Sequence, residues 1–299
     1  MANSPLKVDN YILEKKLGEG SYGDVYFCRD ERNNKWSVIK LIHKEINGVR
    51  DETWRRETFA LTALAEVRGI SRMYDYGATD IHNYIVMEPL LDDLTNIARR
   101  NGIKGFSKST GFHILWQLVK ILQDVHSFGI AHGDIKADNL MISGSNKTFM
   151  LSLVDFGLSR SFKDHNGNRT PPIPFPSGCI NLIHTPARTA NGKPHMEAED
   201  LMQVAYLACI CRKLAPWEDI DGHKMTKLKK AFAEKPKKFL GEHQDLKPII
   251  KIIAKQKHGK EPNYKEIMDL LQEMLTSSGG GFAGDSLKAQ FVNGAIVLP

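Results

Sequence analysis

Apolar and polar positions alternate along the first ninety residues, and that period of two predicts strands. Residues 11–17 and 24–28 flank a glycine cluster and read as a hairpin. A further strand is expected at 36–42, and two short ones at 73–76 and 83–87. Between them, 51–65 carries Trp54, Thr58, Leu61 and Leu64 at helical spacing, with Asp51 as its N-cap.

Beyond Leu90 the period lengthens. Phe112, Leu115, Trp116, Val119, Leu122 and Val125 line one face of a long helix, and Gly129 is placed to end it. Residues 140–142 and 151–154 predict a small hairpin. The 160–193 stretch is rich in Pro, Asn, Gly and Thr and has no period, so a long functional loop is expected there. Helical patterns resume at 198–211, about 246–254 and 264–275. Ser277-Ser278-Gly279-Gly280-Gly281 then opens a stretch, 276–299, expected to be a mobile tail. The outline is α+β, with a small β-rich lobe, a connector near Pro89 and a larger helical lobe.

Composition narrows the class. Of 299 residues, 41% are hydrophobic and 25% charged, which excludes a fibrous, collagen-like or largely disordered chain. No run approaches the ~20 apolar residues that would cross a bilayer, and 1–11 lacks the basic-then-apolar pattern of a secretory leader. Four cysteines, none in a CxxC pair, fit neither a disulfide framework nor a zinc site, so a reduced intracellular setting, nucleus or cytoplasm, is expected. Lys and Arg total 41 against 35 Asp and Glu, a net +6 that mildly favours anionic partners.

Three groups of residues carry chemistry. Gly18-Glu-Gly20-Ser-Tyr-Gly23-Asp-Val25 has the glycine spacing of a loop that lets backbone approach a polyphosphate. It joins two predicted strands, whereas the dinucleotide fingerprint runs from strand into helix, so a Rossmann reading loses. Lys40 lies in the apolar run Val38-Ile39-Lys40 and needs a partner there, either nucleotide phosphate or the Glu57 carboxylate. Taken alone it reads equally well as an edge-strand lysine turned to solvent. The third group is the most specific: His132-Gly133-Asp134-Ile-Lys136-Ala-Asp-Asn139, then Asp155-Phe156-Gly157. Asp134 can accept the proton of an attacking hydroxyl and Lys136 can neutralise a phosphoryl group in transfer. Asn139 and Asp155 offer oxygen ligands to Mg²⁺.

In this order and at these separations, the motifs resemble those of eukaryotic protein kinases, over about 11–275. The resemblance implies a bilobal fold with an N-lobe at about 11–88 and a C-lobe at about 91–275, preceded by an arm at 1–10. It implies ATP and Mg²⁺ as cofactors and transfer of the γ-phosphoryl group to protein hydroxyls. Lys136 resembles the serine/threonine pattern. By the same likeness Met87 is the gatekeeper, Glu88 to Leu90 the hinge that bonds adenine, and Val25, Val38 and Met141 the purine sandwich. Glycine at 133 where arginine is usual, the lack of Ala-Pro-Glu after Gly178, Val38 in place of alanine and Pro216-Trp217-Glu218-Asp219 resemble the casein kinase 1 group, and within it the vaccinia-related kinases. In that likeness Asp200 holds the catalytic-loop backbone.

The chain departs from that group in two places. His184-Thr185-Pro186 stands where relatives carry a Ser-Ile-Asn-like turn in the substrate-docking segment, and Met196-Glu197-Ala198-Glu199 replaces paired arginines. Substrate choice is therefore not inherited; a Ser/Thr protein substrate, acidic or phosphorylated, and a monomeric enzyme are expected. Gly133 offers no charge to an activation-loop phosphate, so activity without phosphorylation of Thr170 or Ser177 is expected, with Arg160, Arg169 and Arg188 the loop arginines that could reverse this. A pseudokinase scaffold is the rival reading, against which Lys40, Asp134, Asn139 and Asp155 all stand. The lysines at 224, 227, 229, 230, 235, 237 and 238 read as a solvated helix face, with docking of an acidic protein, a phosphate-rich substrate or nucleic acid as the alternative; apart from Phe232 and Phe239 no aromatics are interleaved as a single-strand binder requires. Cys209, Cys211 and Trp116 are expected in the core, Cys179 exposed, and His132 as a structural residue.

Overall fold

The computed structural model describes residues 6–20, 23–46, 48–102, 105–145, 148–175, 182–214, 217, 220 and 222–299. The fold is α+β, and the chain divides into two compact units. The smaller comprises Met1–Glu66, Ile70–Leu90 and Asp155–Leu158, and the larger Val67–Gly69, Leu91–Val154 and Ser159–Pro299.

The small unit is a six-stranded sheet in the order β1 (Lys7–Val8), β2 (Tyr11–Gly20), β3 (Gly23–Asp30), β4 (Trp36–His43), β8 (His82–Met87), β7 (Met73–Ala78). A short ladder, β5 (Glu45–Ile46) with β6 (Val49–Arg50), precedes helix α1 (Thr53–Ala63). The period of two sorts the faces. Leu13, Cys28, Ile39, Leu41, Tyr84 and Val86 form a core on one side. The register Val25↔Lys40↔Ile85 and Val38↔Met87 puts Val25, Val38, Lys40 and Met87 together on the other. The N-cap of α1 is Glu52 rather than Asp51. Asp51 contributes one step out, its carboxylate accepting the Thr53 N–H at 2.9 Å.

In the large unit, β9 (Asp92–Asp93) leads into α2 (Leu94–Arg100), whose N-cap Asp93 accepts from Asn96 N–H. The long helix α3 (Lys108–Ser127) is capped by Ser107. It ends at Gly129, where φ is +76°. After the short β10 (Ile130–Ala131), β11 (Leu140–Ser145) and β12 (Thr148–Leu153) form the expected hairpin, from Leu140↔Leu153 onward. β13 (Arg160–Ser161) pairs with β10 and opens the long loop, which ends in the short α4 (Ala187–Ala190). The helical remainder is α5 (Glu197–Ile210), α6 (Gly222–Glu234), α7 (Lys247–Ala254) and α8 (Tyr264–Ser277), with α3 packed against α5 and α8. Cys209 is buried as expected, while Cys211 is half-buried.

Residues 276–299, expected as a mobile tail, instead finish α8 and run along the large unit to the hairpin β14 (Gln290–Val292) and β15 (Ala295–Val297). Arg100 and Asn101 donate to the Ile296 and Leu298 carbonyls, and Leu287, Ile296 and Leu298 are buried. The glycine run draws attention away from the signal that follows it, Asn293-Gly294 between the short apolar runs 291–292 and 295–298, which is a two-residue hairpin pattern. Trp116 is half-buried rather than core, and the Phe282 ring covers it edge-on at 4.8 Å. No helix among the described residues is long and apolar enough to cross a membrane.

Candidate active site

In the small unit the glycine cluster is the turn of the β2–β3 hairpin. β2 bulges between Lys16 and Gly18, and the pair Gly20↔Gly23 closes the ladder; the tip, Ser21 and Tyr22, lies outside the described residues. Gly23 is required by the fold itself, because a Cβ there would lie 1.8 Å from the Leu41 carbonyl oxygen. At Gly18 a Cβ would meet nothing within 4 Å among the described residues, so their packing does not demand glycine there.

Lys40 is held between two carboxylates. Its Nζ donates to Glu57 Oε2 at 2.7 Å and to Asp155 Oδ1 at 2.8 Å. Burial alone would lower the lysine's pKa, but Asp155 and Glu57 outweigh it and leave the ammonium more firmly charged than a free one. Burial lifts the Glu57 carboxyl, and Lys40 pulls against that lift. The structure thus answers the question left open at Lys40, which is turned inward. Asp155 has φ +65°, a left-handed conformation uncommon outside glycine and frequent at functional sites. Arg56 Nε donates to the Gly157 carbonyl at 2.8 Å, tying α1 to the turn after Asp155. At the edge of the sheet, Glu88 exchanges bonds with Arg72, its N–H donating to the Arg72 carbonyl while its carboxylate accepts the Arg72 N–H.

In the large unit the catalytic-loop candidates converge on one carboxylate. Asp134 Oδ2 accepts from Lys136 Nζ at 2.7 Å and from Asn139 Nδ2 at 3.0 Å. Asn139 also donates to the Asp134 carbonyl at 2.8 Å, so its amide nitrogen is committed and its Oδ1 is the atom left to ligate a cation. His132 Nδ1 accepts the Asp134 N–H, which places the ring proton on Nε2, where it meets the Val154 carbonyl at 3.0 Å. That is a structural role. Met141 lies on β11 opposite Asp93 and Ser152.

Beneath this loop lies Asp200 on α5, wholly buried. Its Oδ2 accepts His132 N–H at 2.7 Å and its Oδ1 accepts Gly133 N–H at 2.9 Å. His126 Nε2 and His195 Nε2 complete the set at 2.9 and 2.8 Å. Burial works against the carboxylate, but the two imidazoles outweigh it and hold its pKa well below the usual range. Gly133 has φ +88°, so a side chain at this position would be strained.

Three residues escape a reading of the motifs. Gln203 accepts the Ile135 N–H and donates to the Gly133 carbonyl. Its signal is position, one helical turn after Asp200 and so on the same face. His126 sits in the last turn of α3 and His195 in the irregular stretch before α5, and no motif spacing announces either.

Residues 11–278 match the protein kinase domain family, and the chain belongs to that family. It is 27% identical over 270 residues to the serine/threonine-protein kinase spe-6 of Caenorhabditis elegans, covering 88% of this chain and 71% of that one. Two further relatives are a probable casein kinase I homologue of Encephalitozoon cuniculi, 23% identical over 91% of this chain and 87% of the relative, and casein kinase I homolog 2 of Schizosaccharomyces pombe, 25% identical over 90% and 63%. Family and relatives together make this an ATP-dependent serine/threonine protein kinase of casein kinase I affinity.

Proposed function

We propose that the chain transfers the γ-phosphoryl group of ATP to Ser or Thr hydroxyls of a protein substrate, with Asp134 as proton acceptor, and does so without phosphorylation of its own loop. The observation that carries the reading is the Lys40–Glu57 pair at 2.7 Å, the ion pair that phosphoryl transfer requires. In this assignment Lys40 holds the nucleotide phosphates, with Gly18, Gly20 and Gly23 above them. Val25, Val38 and Met141 enclose the purine, Met87 guards its rear, and Glu88 and Leu90 bond its edge. Lys136 steadies the group in transfer. Asn139 and Asp155 present hard oxygen atoms that suit Mg²⁺, and Mg²⁺ when bound neutralises charge on the phosphates.

Independence from loop phosphorylation is supported by where the loop arginines go. Arg169 Nη2 meets Glu197 Oε1 at 2.5 Å and its guanidinium lies over Phe162 at 5.2 Å. Arg188 pairs with Glu199 at 3.2 Å, and Arg160 stacks on Phe175 at 4.3 Å. Each has a partner already, and Gly133 supplies no charge beside Asp134. Ser177 and Cys179 lie outside the described residues, as do Pro216, Glu218 and Asp219. Among casein kinase relatives we place the chain nearest the vaccinia-related kind, acting as a monomer on acidic or phosphorylated proteins, with 182–186 as the docking segment.

The test is radiolabel transfer from ATP to casein and histone mixtures by phosphatase-treated enzyme made in bacteria, with Asp134→Asn as control. Equal labelling by both proteins, or by neither, would leave a nucleotide-binding scaffold as the better account.

A further inference from the structure

One lysine of the basic stretch does not belong to a solvated face. Lys224, Lys227 and Lys230 on α6 are exposed, but Lys229 is 1% exposed. Its Nζ donates to three backbone carbonyls, those of Leu182, Ile183 at 2.7 Å and Thr185 at 2.8 Å. The ammonium also lies over the rings of Tyr206 at 4.8 Å and Trp217 at 5.2 Å. An ammonium carries three N–H groups, so three carbonyls use them all. Among the described residues no carboxylate pairs with it, and burial drives its pKa down to about 7. A buried cation without a counter-ion is costly, and a neutral side chain would fill the same space more cheaply. What its donated hydrogen bonds secure is the path of one short stretch of backbone.

That stretch has other restraints facing the same way. Trp217 Nε1 donates to the Ile183 carbonyl at 3.1 Å, and Gln203 Nε2 donates to the His184 carbonyl at 3.3 Å. The carbonyls of 182, 183, 184 and 185 are thus all drawn inward by side-chain donors, while the Leu182 and Ile183 side chains stay partly exposed at 38% and 37%. Gln203 also donates to the Gly133 carbonyl, next to Asp134. Lys229, Trp217 and Gln203 together therefore fix 182–185, and Gln203 relates it to the loop that carries Asp134.

We propose that Lys229 is a positioning residue for the protein substrate, holding the Leu182–Thr185 backbone as a shelf at a set distance from the Asp134 loop. The inference rests on the kinase reading and on 182–186 as the docking segment. It separates Lys229 from its exposed lysine neighbours, whose removal should leave the shelf intact.

The test is steady-state kinetics of Lys229→Met on dephosphorylated casein, beside ATP hydrolysis with water as acceptor. The Michaelis constant for casein should rise about tenfold, the scale of one or two lost charge-assisted hydrogen bonds. The constant for ATP and the hydrolysis rate should stay within about twofold, a split that general loosening would not produce. Should Lys229→Met fail to fold, Trp217→Phe removes one donor from the Ile183 carbonyl and keeps an aromatic face, with a smaller rise in the same constant expected. Amide exchange at 183–185 reads the shelf without turnover and should quicken there in either variant. An unchanged casein constant, a parallel fall in both activities, or unchanged exchange at 183–185 would overturn the proposal. Wild-type labelling of casein reports separately on the kinase reading.

Discussion

Replacing Asp200 by asparagine keeps size and shape but breaks the symmetry of the carboxylate. Each oxygen accepts one backbone N–H of the catalytic loop and one imidazole N–H. The histidines can adapt. His126 Nδ1 faces the Tyr264 hydroxyl at 2.5 Å and His195 Nδ1 faces the Thr189 hydroxyl at 3.0 Å, and a hydroxyl can donate or accept, so either ring can change tautomer. The backbone amides cannot. Whichever way the new amide turns, its NH₂ faces either the His132 or the Gly133 N–H, and two buried donors are left opposed. At ~1–3 kcal/mol for each unsatisfied buried donor, the loss is about 2–6 kcal/mol. For a domain of this size ~1 kcal/mol moves Tm by ~2–4 °C. Calorimetry near neutral pH should therefore show Tm lower by about 5–15 °C, with turnover in the folded fraction down on the order of 10²-fold as the Asp134 loop shifts.

The pH dependence gives this prediction a second handle. A carboxylate whose pKa is lowered by folding stabilises the fold above its unfolded value, ~3.9 for Asp, and loses that contribution as pH falls toward the folded value. The gap in Tm between wild type and Asp200→Asn should be constant above pH ~5 and close as pH drops through ~4 and below. A Tm within ~2 °C of wild type at neutral pH, or a gap that widens in acid, would refute the account of Asp200 as the acceptor for this loop.

Other outcomes follow from the same geometry. Asp134→Asn and Lys40→Met should each cut phosphoryl transfer on the order of 10²-fold or more with circular dichroism unchanged, and near-wild-type labelling by either would remove that residue from the mechanism. Thr170→Ala should leave the rate of phosphatase-treated enzyme within a few-fold of wild type, whereas silencing by phosphatase and recovery on rephosphorylation would defeat the argument from Gly133. Met87→Gly should admit enlarged purine analogues in a competition assay that wild type excludes; equal binding to both would misplace the gatekeeper. Phe282→Ala should cost about 1–2 kcal/mol in denaturant unfolding, since the ring is only half-buried over Trp116, and no change would mean the 276–299 stretch adds nothing to the fold.

Much of the fold is legible because periods of two and 3.6 survive wherever one face is buried. The strand faces that carry Val25, Val38, Lys40 and Met87 follow from alternation once the strands are placed, and α3 follows from its apolar stripe. The site is legible for a different reason. Its candidate residues are crowded into His132–Asn139 and Asp155–Gly157, short segments whose order and spacing carry the resemblance to protein kinases. Composition misled in two places. At 276–299 a glycine run argued for motion, yet Leu287, Ile296 and Leu298 beyond it are buried. On α6 a density of lysines argued for solvent, yet Lys229 turns inward between exposed Lys227 and Lys230.

What spacing does not show is the support beneath the site, and the support is where the fold and the chemistry meet. Loop backbone presents N–H and C=O groups that helices and sheets would otherwise satisfy among themselves. Here they are satisfied by polar side chains rising from two helices. Asp200 and Gln203 on α5 take the N–H groups of 132, 133 and 135, and Gln203 with Lys229 on α6 takes the carbonyls of 182–185. Each side chain is buried, so each must be fully partnered, and the partners it can find fix where the loop runs. A helix holds such a side chain more firmly than a loop could hold itself. The sequence separation between partners, 68 residues from His132 to Asp200 and 44 from Thr185 to Lys229, is why no motif records them.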